Sequence, residues 1–403
     1  MKINVTRFLL APAMLAYAVA QAQEPVGDPS KMKILPDAKV KHALSNLAKT
    51  SASLAVAPAA TLPVWKYTMV SPRDGNTYSG SIVGGNPFNR GARTTNVPIV
   101  LIPLRVEFTG ALARSFDPTS PDDGCLGAGN TAMSLTQQSP SFQPYNAVIN
   151  GVNMGNVNFT DAFQRASFWP SITASAPAYH LALNVSVAAK QTISLVNGTA
   201  DGHTVGPFSN SCTSNVIEQD NPSRVGEVDI NYIDAQLNNI IANLGLNAGQ
   251  FPFFIVYGIV ITDSGNCCIL GYHNGSGNNA LPTQTYGIAG YDQGYLFSGV
   301  KDISILSHEI LEWVNDPYLA NLVPNWGNLG QVSGCQNNLE TGDPLSGSLM
   351  PNVTMPNGVT YHIQEQAFFS WFIGGPYPGA GGKYSSNGTF GGYAKSCPPG
   401  GSN

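Results

Sequence analysis

Residues 307–317, Ser-His-Glu-Ile-Leu-Glu-Trp-Val-Asn-Asp-Pro, carry the pattern that decides how this chain is interpreted. His308 and Glu312 are four residues apart, so on a helix they lie on one face within reach of a single metal ion. Glu309 stands beside them, where the HExxH pattern of zinc hydrolases places its general base. Glutamate replaces the second histidine of that pattern, and zinc accepts carboxylate oxygen as well as imidazole nitrogen. The stretch therefore predicts a metal-binding helix.

The flanking residues predict where this helix begins and ends. Asp302 or Ser304 can cap its N-terminus. Asp316 precedes a proline, which pushes it out of the α region and ends the helix. The three ionisable side chains cluster away from the apolar stripe, although an exposed face with a weak surface His–Glu pair fits the same pattern. The stripe expected to face the core is Ile303, Leu306, Ile310 and Val314.

A second acidic cluster follows at residues 340–343, Glu-Thr-Gly-Asp, where Gly342 predicts a turn. Zinc in a catalytic site takes three protein ligands and leaves the fourth position for water. Glu340 is the first choice for the third ligand and Asp343 the second, while Asp316 is a further alternative. Taken alone, the cluster also fits a solvated loop. One imidazole and two carboxylates make an oxygen-rich shell, so calcium and manganese stay open beside zinc.

The motif Ser-His-Glu-x-x-Glu-x-x-x-Asp-Pro followed by Glu-x-Gly-Asp resembles that of secreted bacterial proteins with a zincin-like HExxE helix. The chain is also similar, more distantly, to the Exordium-like extracellular proteins. An apolar run at 253–262, then Cys267-Cys268 and Gly271-Tyr272-His273, supports the same resemblance, which covers about residues 225–375. It implies a zincin-like core. True gluzincins carry HExxH, and this chain departs from them at Glu312.

The predicted chemistry is hydrolysis by a metal-activated water, with Glu309 as general base. A second group must stabilise the oxyanion, and His362, Tyr361 and His273 are candidates, although a structural role is favoured for each. The most favoured function is a zinc peptidase acting on a protein or peptide. The alternative is a non-catalytic extracellular protein that binds a polymer and holds a structural metal. A glycosidase is disfavoured, because a histidine between paired acids on one helical turn is poor geometry for it.

Residues 1–22 have the composition of a signal peptide. Lys2 and Arg7 precede an apolar run at 8–20, and Ala20-Gln21-Ala22 is a cleavage signal. No later stretch reaches 18 apolar residues, so no membrane insertion is expected. Removing the segment moves the formal charge from −5 to −7, and without a basic patch nucleic acid is not an expected partner. The predicted location is secreted or periplasmic.

The cysteines predict up to three disulfides in an oxidising compartment, with fifteen possible pairings. Cys267 and Cys268 are adjacent, and a bond between them would be strained, so each is expected to pair elsewhere. Cys335 would then pin the loop before Glu340. A metal–thiolate site is the less favoured alternative. The six cysteines are Cys125, Cys212, Cys267, Cys268, Cys335 and Cys397.

The predicted fold class is α+β, with a β-rich N-terminal half and a zincin-like core of helix, strand and metal-binding helix in the C-terminal half. Residues 23–62 are predicted to be a leader, linker or pro-segment, 63–395 a single domain and 396–403 a tail. Asp74-Gly75 predicts a tight turn. The remaining predictions are strands at 65–70, 78–83, 97–108 and 253–262, helices at 161–168, 230–244 and 364–372, a loop at 113–145, and a hairpin of 180–187 with 191–196.

Overall fold

A computed structural model describes residues 61–111, 113–122, 124–208, 223–276, 283–292, 297, 299–375 and 377–397. The predicted signal peptide and almost all of the 23–62 segment lie outside these residues. Strands dominate the described chain and helices are fewer, as the α+β prediction requires. Within the described residues, no helix combines the length and the apolar character needed to cross a bilayer.

The helices are α1 (Ala132–Gln137), α2 (Phe159–Ser167), α3 (Trp169–Ser175), α4 (Ile230–Asn243), α5 (Ser304–Asn315) and α6 (Phe369–Ile373). The strands of the first half are β1 (Val64–Val70), β2 (Thr77–Val83), β3 (Thr94–Thr109), β4 (Arg114–Phe116), β5 (Tyr145–Ile149), β6 (Val152–Val157), β7 (His180–Val187), β8 (Gln191–Val196) and β9 (Gly202–Phe208). Those of the second half are β10 (Ser223–Asp229), β11 (Phe251–Tyr257), β12 (Ile259–Asp263), β13 (Asn266–Ile269), β14 (Gly271–Ser276), β15 (Gln284–Tyr291), β16 (Leu322–Leu329), β17 (Val332–Asn338), β18 (Val353–Thr354) and β19 (Thr360–Tyr361).

The long strand β3 organises the largest sheet, in the order β14-β15-β11-β3-β4. β7 pairs in parallel with its first half and β8 in parallel with its second half. The predicted hairpin of 180–187 with 191–196 is therefore wrong, because both strands run in one direction along β3. The link Ala188-Ala189-Lys190 lacks the residues that favour positive φ, so it does not reverse the chain.

The apolar run predicted as one strand at 253–262 forms two strands in two sheets. β11 lies between β3 and β15, and it pairs in parallel with both. β12 pairs in parallel with β10 in a four-stranded sheet. Between them Gly258 has a φ of 69°, a conformation that glycine adopts without the steric cost a side chain would bring. The chain changes sheets at this residue.

Most other local predictions are confirmed. β1 and β2 form an antiparallel hairpin whose turn contains Gly75 at a φ of 75°. The helices predicted at 161–168 and 230–244 correspond to α2 and α4. The loop predicted at 113–145 is wrong in part, since it contains β4 and α1, whose capping box joins Thr131 and Ser134. Only α6 forms within the predicted 364–372 helix.

The large sheet has an apolar core on each face. Along β11, Phe253 and Ile255 pack in the core that contains α5, whereas Phe254 and Val256 pack in the core that contains α4. Successive side chains of a strand point to opposite faces, which explains this alternation. The sheet is thus covered by α5 on one face and α4 on the other, and α5 packs against β14 and β15.

Candidate metal centre

Helix α5 carries the predicted motif and is buried on all sides. It ends at Asn315 with Asp316 as its C-cap, just before Pro317, as predicted. The prediction that Asp302 or Ser304 caps its N-terminus is wrong. Ile303 occupies the N-cap position, and no side chain there hydrogen-bonds to the first turn. The alternative of an exposed polar face is wrong, since every residue of α5 is buried. The 340–366 segment covers the face opposite the apolar stripe.

Aromatic packing anchors α5 to the sheet. Trp313 stacks on Phe251 with ring centroids 3.7 Å apart, and its indole nitrogen donates to the Thr285 hydroxyl at 2.9 Å. At Gly271 on β14 a side chain would not fit, because an added Cβ would lie 2.7 Å from the Ile305 side chain and 3.1 Å from Glu309 Cγ. The absence of a side chain at Gly271 lets the motif face of α5 approach strand β14.

His308, Glu312 and Asp343 form a first group of candidate metal ligands. One ligand atom from each lies within 4.8 Å of the others. His308 Nε2 is 3.0 Å from Glu312 Oε2 and 3.6 Å from Asp343 Oδ1. The other glutamate oxygen, Glu312 Oε1, accepts hydrogen bonds from the backbone N–H groups of Gly342 at 2.9 Å and Asp343 at 3.1 Å. Glu312 therefore fixes the loop that brings Asp343 to the helix.

His273, Glu309 and Glu312 form a second group with the same property. His273 lies on β14, next to Tyr272 in the α4 core, so alternation turns the histidine toward α5. Its Nδ1 is 3.4 Å from Glu309 Oε2 and 4.0 Å from Glu312 Oε2. The motif spacing did not identify this histidine as a ligand. From the sequence, His273 was a candidate oxyanion stabiliser only.

Glu340, the first choice for the third ligand, lies beside His273 and outside both groups. Its Oε2 is 3.9 Å from His273 Nε2, and its Oε1 accepts from the Asn338 side chain at 3.2 Å. The second choice, Asp343, takes the position next to His308 instead. The turn at Gly342 accounts for this, because it docks on Glu312 through backbone N–H groups and delivers the residue that follows it.

Asp316, the further alternative, belongs to neither ligand group. Its Oδ1 accepts the backbone N–H of Ala320 at 2.8 Å and of Asn321 at 3.0 Å. These contacts hold the turn that follows α5. The carboxylate therefore organises the backbone after the helix.

The candidate oxyanion stabilisers His362 and Tyr361 have other partners. His362 Nδ1 is 2.5 Å from Asp302 Oδ2, and its backbone N–H donates to Asp302 Oδ1 at 2.8 Å. The Tyr361 hydroxyl donates to the Leu135 carbonyl at 3.0 Å. Among the described hydrogen bonds and ion pairs, neither joins His308 or Glu309. His362 thus ties its segment to Asp302 before α5, and Tyr361 ties it to helix α1.

Gln364 supports His308 from the outer side. Its side-chain nitrogen lies 2.8 Å from His308 Nδ1 and donates to the Gly342 carbonyl at 2.9 Å. The imidazole is thus held between this amide and Glu312. Sequence reasoning placed Gln364 in a helix and missed this role, because the contact spans 56 residues of chain.

The six acidic and histidine residues of the centre are almost fully buried, none of them more than 4% exposed. Burial and the charge of Glu312 raise the pKa of Asp343 to about 7. Burial lowers the pKa of His308, but the charges of Glu312 and Glu309 and hydrogen bonds to Asp343 and Glu312 raise it well above its usual value. Glu309 Oε1 is buried and lacks a hydrogen-bond partner within the described part of the chain. A buried polar atom of this kind calls for an explanation, such as an ordered water, an ion or a catalytic role.

The disulfide pairing of the cysteines differs in part from the prediction. Cys267 and Cys268 are bonded to each other, contrary to the prediction, and the peptide between them is cis with its Cα atoms 3.0 Å apart. Cys335 on β17 is bonded to Cys397, with Cα atoms 5.8 Å apart. Cys125 is also disulfide-bonded, while Cys212 lies outside the described residues. Cys267 and Cys268 are consecutive residues of β13, which pairs with β12 in an antiparallel hairpin.

Comparisons with protein-family models, with curated proteins and with solved structures gave no match to this chain. The chemistry of the two ligand groups is accordingly what indicates a function. Each group offers one imidazole nitrogen and two carboxylate oxygens. Such mixed shells suit zinc and manganese, whereas calcium takes oxygen ligands.

Proposed function

We propose that this protein is an exported metal-dependent hydrolase whose centre lies between α5, β14 and the 340–343 loop, and that its substrate is a protein or peptide. The observation that carries the proposal is the burial of two histidines and four carboxylates around one helical turn. The resemblance of the motif to secreted zincin-like proteins supports the reaction class. The bonded cysteines are consistent with an oxidising compartment.

His308, Glu312 and Asp343 would hold the ion of the first group, and zinc is the metal that fits them best. A divalent cation held there would supply a coordinated water of lowered pKa and a charge that polarises a carbonyl oxygen. The protein's part is to orient its own groups. Glu312 is positioned by two backbone N–H groups, and His308 is held on its other side by Gln364.

Glu309 is positioned to accept a proton from the attacking water and to pass it on. Its Oε2 faces His273 Nδ1 at 3.4 Å, which leaves the unpartnered Oε1 to accept a proton from water. The water oxygen forms a bond to the carbonyl carbon as that proton passes to Glu309. The carbon–nitrogen bond then breaks, and Glu309 returns the proton to the leaving amine. One carboxylate thus acts first as base and then as acid.

A second candidate function is a non-catalytic extracellular protein with a structural metal. The observation in its favour is the same burial, since none of the ligand residues exceeds 4% exposure. A structural zinc site is closed by protein ligands, whereas a catalytic one keeps a position for water and substrate. The two functions differ in whether Glu309 does chemistry.

Hydrolysis of an unstructured protein by wild type and Glu309→Gln separates these candidates. The hydrolase predicts activity that is lost with a chelator and restored by zinc. It also predicts a Glu309→Gln variant that is about 10²–10⁴-fold slower yet still binds the ion at His308. Glu107→Gln, a change in a partly exposed pair with Arg105 outside the centre, is the matched control and should stay active. A metal-loaded wild type that cleaves no member of a broad peptide library would instead support the structural site.

A further inference from the structure

Glu312 belongs to both ligand groups, and a single oxygen of it serves both. Oε2 lies 3.0 Å from His308 Nε2 and 4.0 Å from His273 Nδ1. Oε1 is occupied by the N–H groups of Gly342 and Asp343. The carboxylate cannot turn without losing these two hydrogen bonds. Oε2 therefore stands fixed between two imidazoles that approach it from α5 and from β14.

The separations in each group stay below the largest distance possible between two donor atoms on one ion, and the shorter one in each group is within the range for angles of about 90–109°. Two atoms bound to zinc at about 2.0–2.1 Å lie about 2.9–3.4 Å apart at angles of 90–109°, and at most about 4.2 Å apart. In the first group, His308 Nε2 is 3.0 and 3.6 Å from its carboxylate partners. In the second, His273 Nδ1 is 3.4 and 4.0 Å from its partners. Each group thus has room for an ion of its own.

Both histidines are arranged alike around Glu312. His308 directs Nε2 to Glu312 and has Nδ1 2.8 Å from the Gln364 side chain. His273 directs Nδ1 to Glu309 and Glu312 and has Nε2 3.9 Å from Glu340 Oε2. A metal-bound histidine usually has its second ring nitrogen held by an outer polar group. Gln364 is within hydrogen-bond distance of the second ring nitrogen of His308, whereas Glu340 lies near that of His273 without a direct hydrogen bond to it.

The charge of the cluster also favours two cations. Its four buried carboxylates carry four negative charges when ionised, and protonating both imidazoles would balance only two of them. Uncompensated charge in a buried site is costly. One divalent cation leaves two negative charges, whereas two such cations balance all four. The four carboxylates are Glu309, Glu312, Glu340 and Asp343.

From this geometry we infer a dinuclear centre in which Glu312 Oε2 bridges two divalent cations. One cation is held by His308 and Asp343, and the other by His273 and Glu309. The inference rests on the proposed function and deepens it, because hydrolytic sites with two ions about 3.5–4 Å apart bind both the attacking and the leaving atoms. Glu309 is then a ligand through Oε2, with Oε1 left for proton transfer.

Metal stoichiometry tests this directly. The full-length exported protein is stripped with a chelator, saturated with Zn²⁺, separated from free metal and measured by mass spectrometry of the metal. Wild type should hold two equivalents. His273→Ala and Glu309→Gln should hold one, at the His308 group, while His308→Ala and Asp343→Asn should hold one at the other group.

The partly exposed pair of His203 and Glu227 supplies matched controls, because its atoms lie 3.3 Å apart outside both groups. His203→Ala and Glu227→Gln should each keep two equivalents. Loading with Mn²⁺ gives a second readout. Two Mn²⁺ ions that share Glu312 Oε2 should give an exchange-coupled electron paramagnetic resonance spectrum in wild type. In His273→Ala that spectrum should become the signal of an isolated ion.

The inference is overturned if wild type saturates at one equivalent of Zn²⁺. It is also overturned if His273→Ala still holds two equivalents. If His273→Ala fails to fold by circular dichroism, the wild-type stoichiometry and its manganese spectrum decide. Hydrolysis is measured separately on the same samples. Two bound ions without hydrolysis contradict the proposed function alone, and one bound ion with hydrolysis contradicts the dinuclear centre alone.

Discussion

Gly342 lies directly against the imidazole of His308, so that a Cβ added to the glycine would be 2.5 Å from Nδ1. Its φ of −86° suits any residue, so only the closeness of His308 requires glycine here. Gly342→Ala should displace His308 and weaken Zn²⁺ binding by about tenfold or more, as changes around metal ligands do. Calorimetric titration with Zn²⁺ measures the change.

Gly391→Ala is the control for this variant, because a methyl group there meets no atom within 4 Å. It should bind Zn²⁺ like wild type. Equal affinities of Gly342→Ala and wild type, with both folded by circular dichroism, would show that His308 does not depend on this close contact.

Gln364 should act as a positioning residue for His308, since its amide contacts both Nδ1 and the Gly342 carbonyl. Gln364→Ala removes this contact and should lower Zn²⁺ affinity by about ten- to a hundredfold. Gln191→Ala, whose exposed amide bonds only to the carbonyl of Ala189, is the matched control. An unchanged affinity in Gln364→Ala would mean that packing alone orients the imidazole.

Asp343 should make the stability of the metal-free protein depend on pH. Burial and the charge of Glu312 raise its pKa to about 7, whereas an unfolded aspartate titrates near about 3.9. The folded chain therefore holds this proton more tightly. The stability that Asp343 contributes is complete below about pH 4 and is lost as the pH rises through about 7.

The measurement is urea unfolding of wild type and Asp343→Asn in a chelator, in steps from about pH 4 to pH 8. The stability of the variant relative to wild type should increase over this range. Asp201→Asn, at an exposed turn, is the control for the effect of removing an aspartate outside the centre. Saturating Zn²⁺ should abolish the wild-type loss, because the ion requires the ionised carboxylate. Parallel profiles for Asp343→Asn and wild type in the chelator would contradict the raised pKa.

Glu365 should contribute to stability without binding metal. Its fully buried carboxylate accepts hydrogen bonds from three hydroxyl and two backbone N–H groups. An amide at this position can accept through one oxygen only, so Glu365→Gln should lower the free energy of unfolding by on the order of 2–3 kcal/mol. The donors belong to Ser348, Ser385, Asn387 and Thr389.

Chemical denaturation measures this change, and metal content checks that the centre is intact. Glu107→Gln, which alters a partly exposed pair with Arg105, should cost about 1 kcal/mol or less. A Glu365→Gln variant as stable as wild type would show that the five donors find other acceptors.

Local spacing along the chain determined much of the candidate site. The four-residue separation of His308 and Glu312 places both on one face of any helix, and Pro317 ends that helix wherever it packs. The strands and the hairpin turn at Asp74-Gly75 were predictable for the same reason. They depend on backbone conformations that neighbouring residues set among themselves.

Tertiary structure alone decided which residues complete the centre. Strand alternation puts His273 and Tyr272 on opposite faces, but only the packing of α5 against β14 turns the histidine face toward Glu309. Asp343, and not Glu340, lies beside His308 because the backbone N–H of Gly342 donates to Glu312. That contact joins residues 30 positions apart in the chain. Local residue preferences carry no information about such distant contacts, since these form only when sheet pairing and burial bring separate segments together.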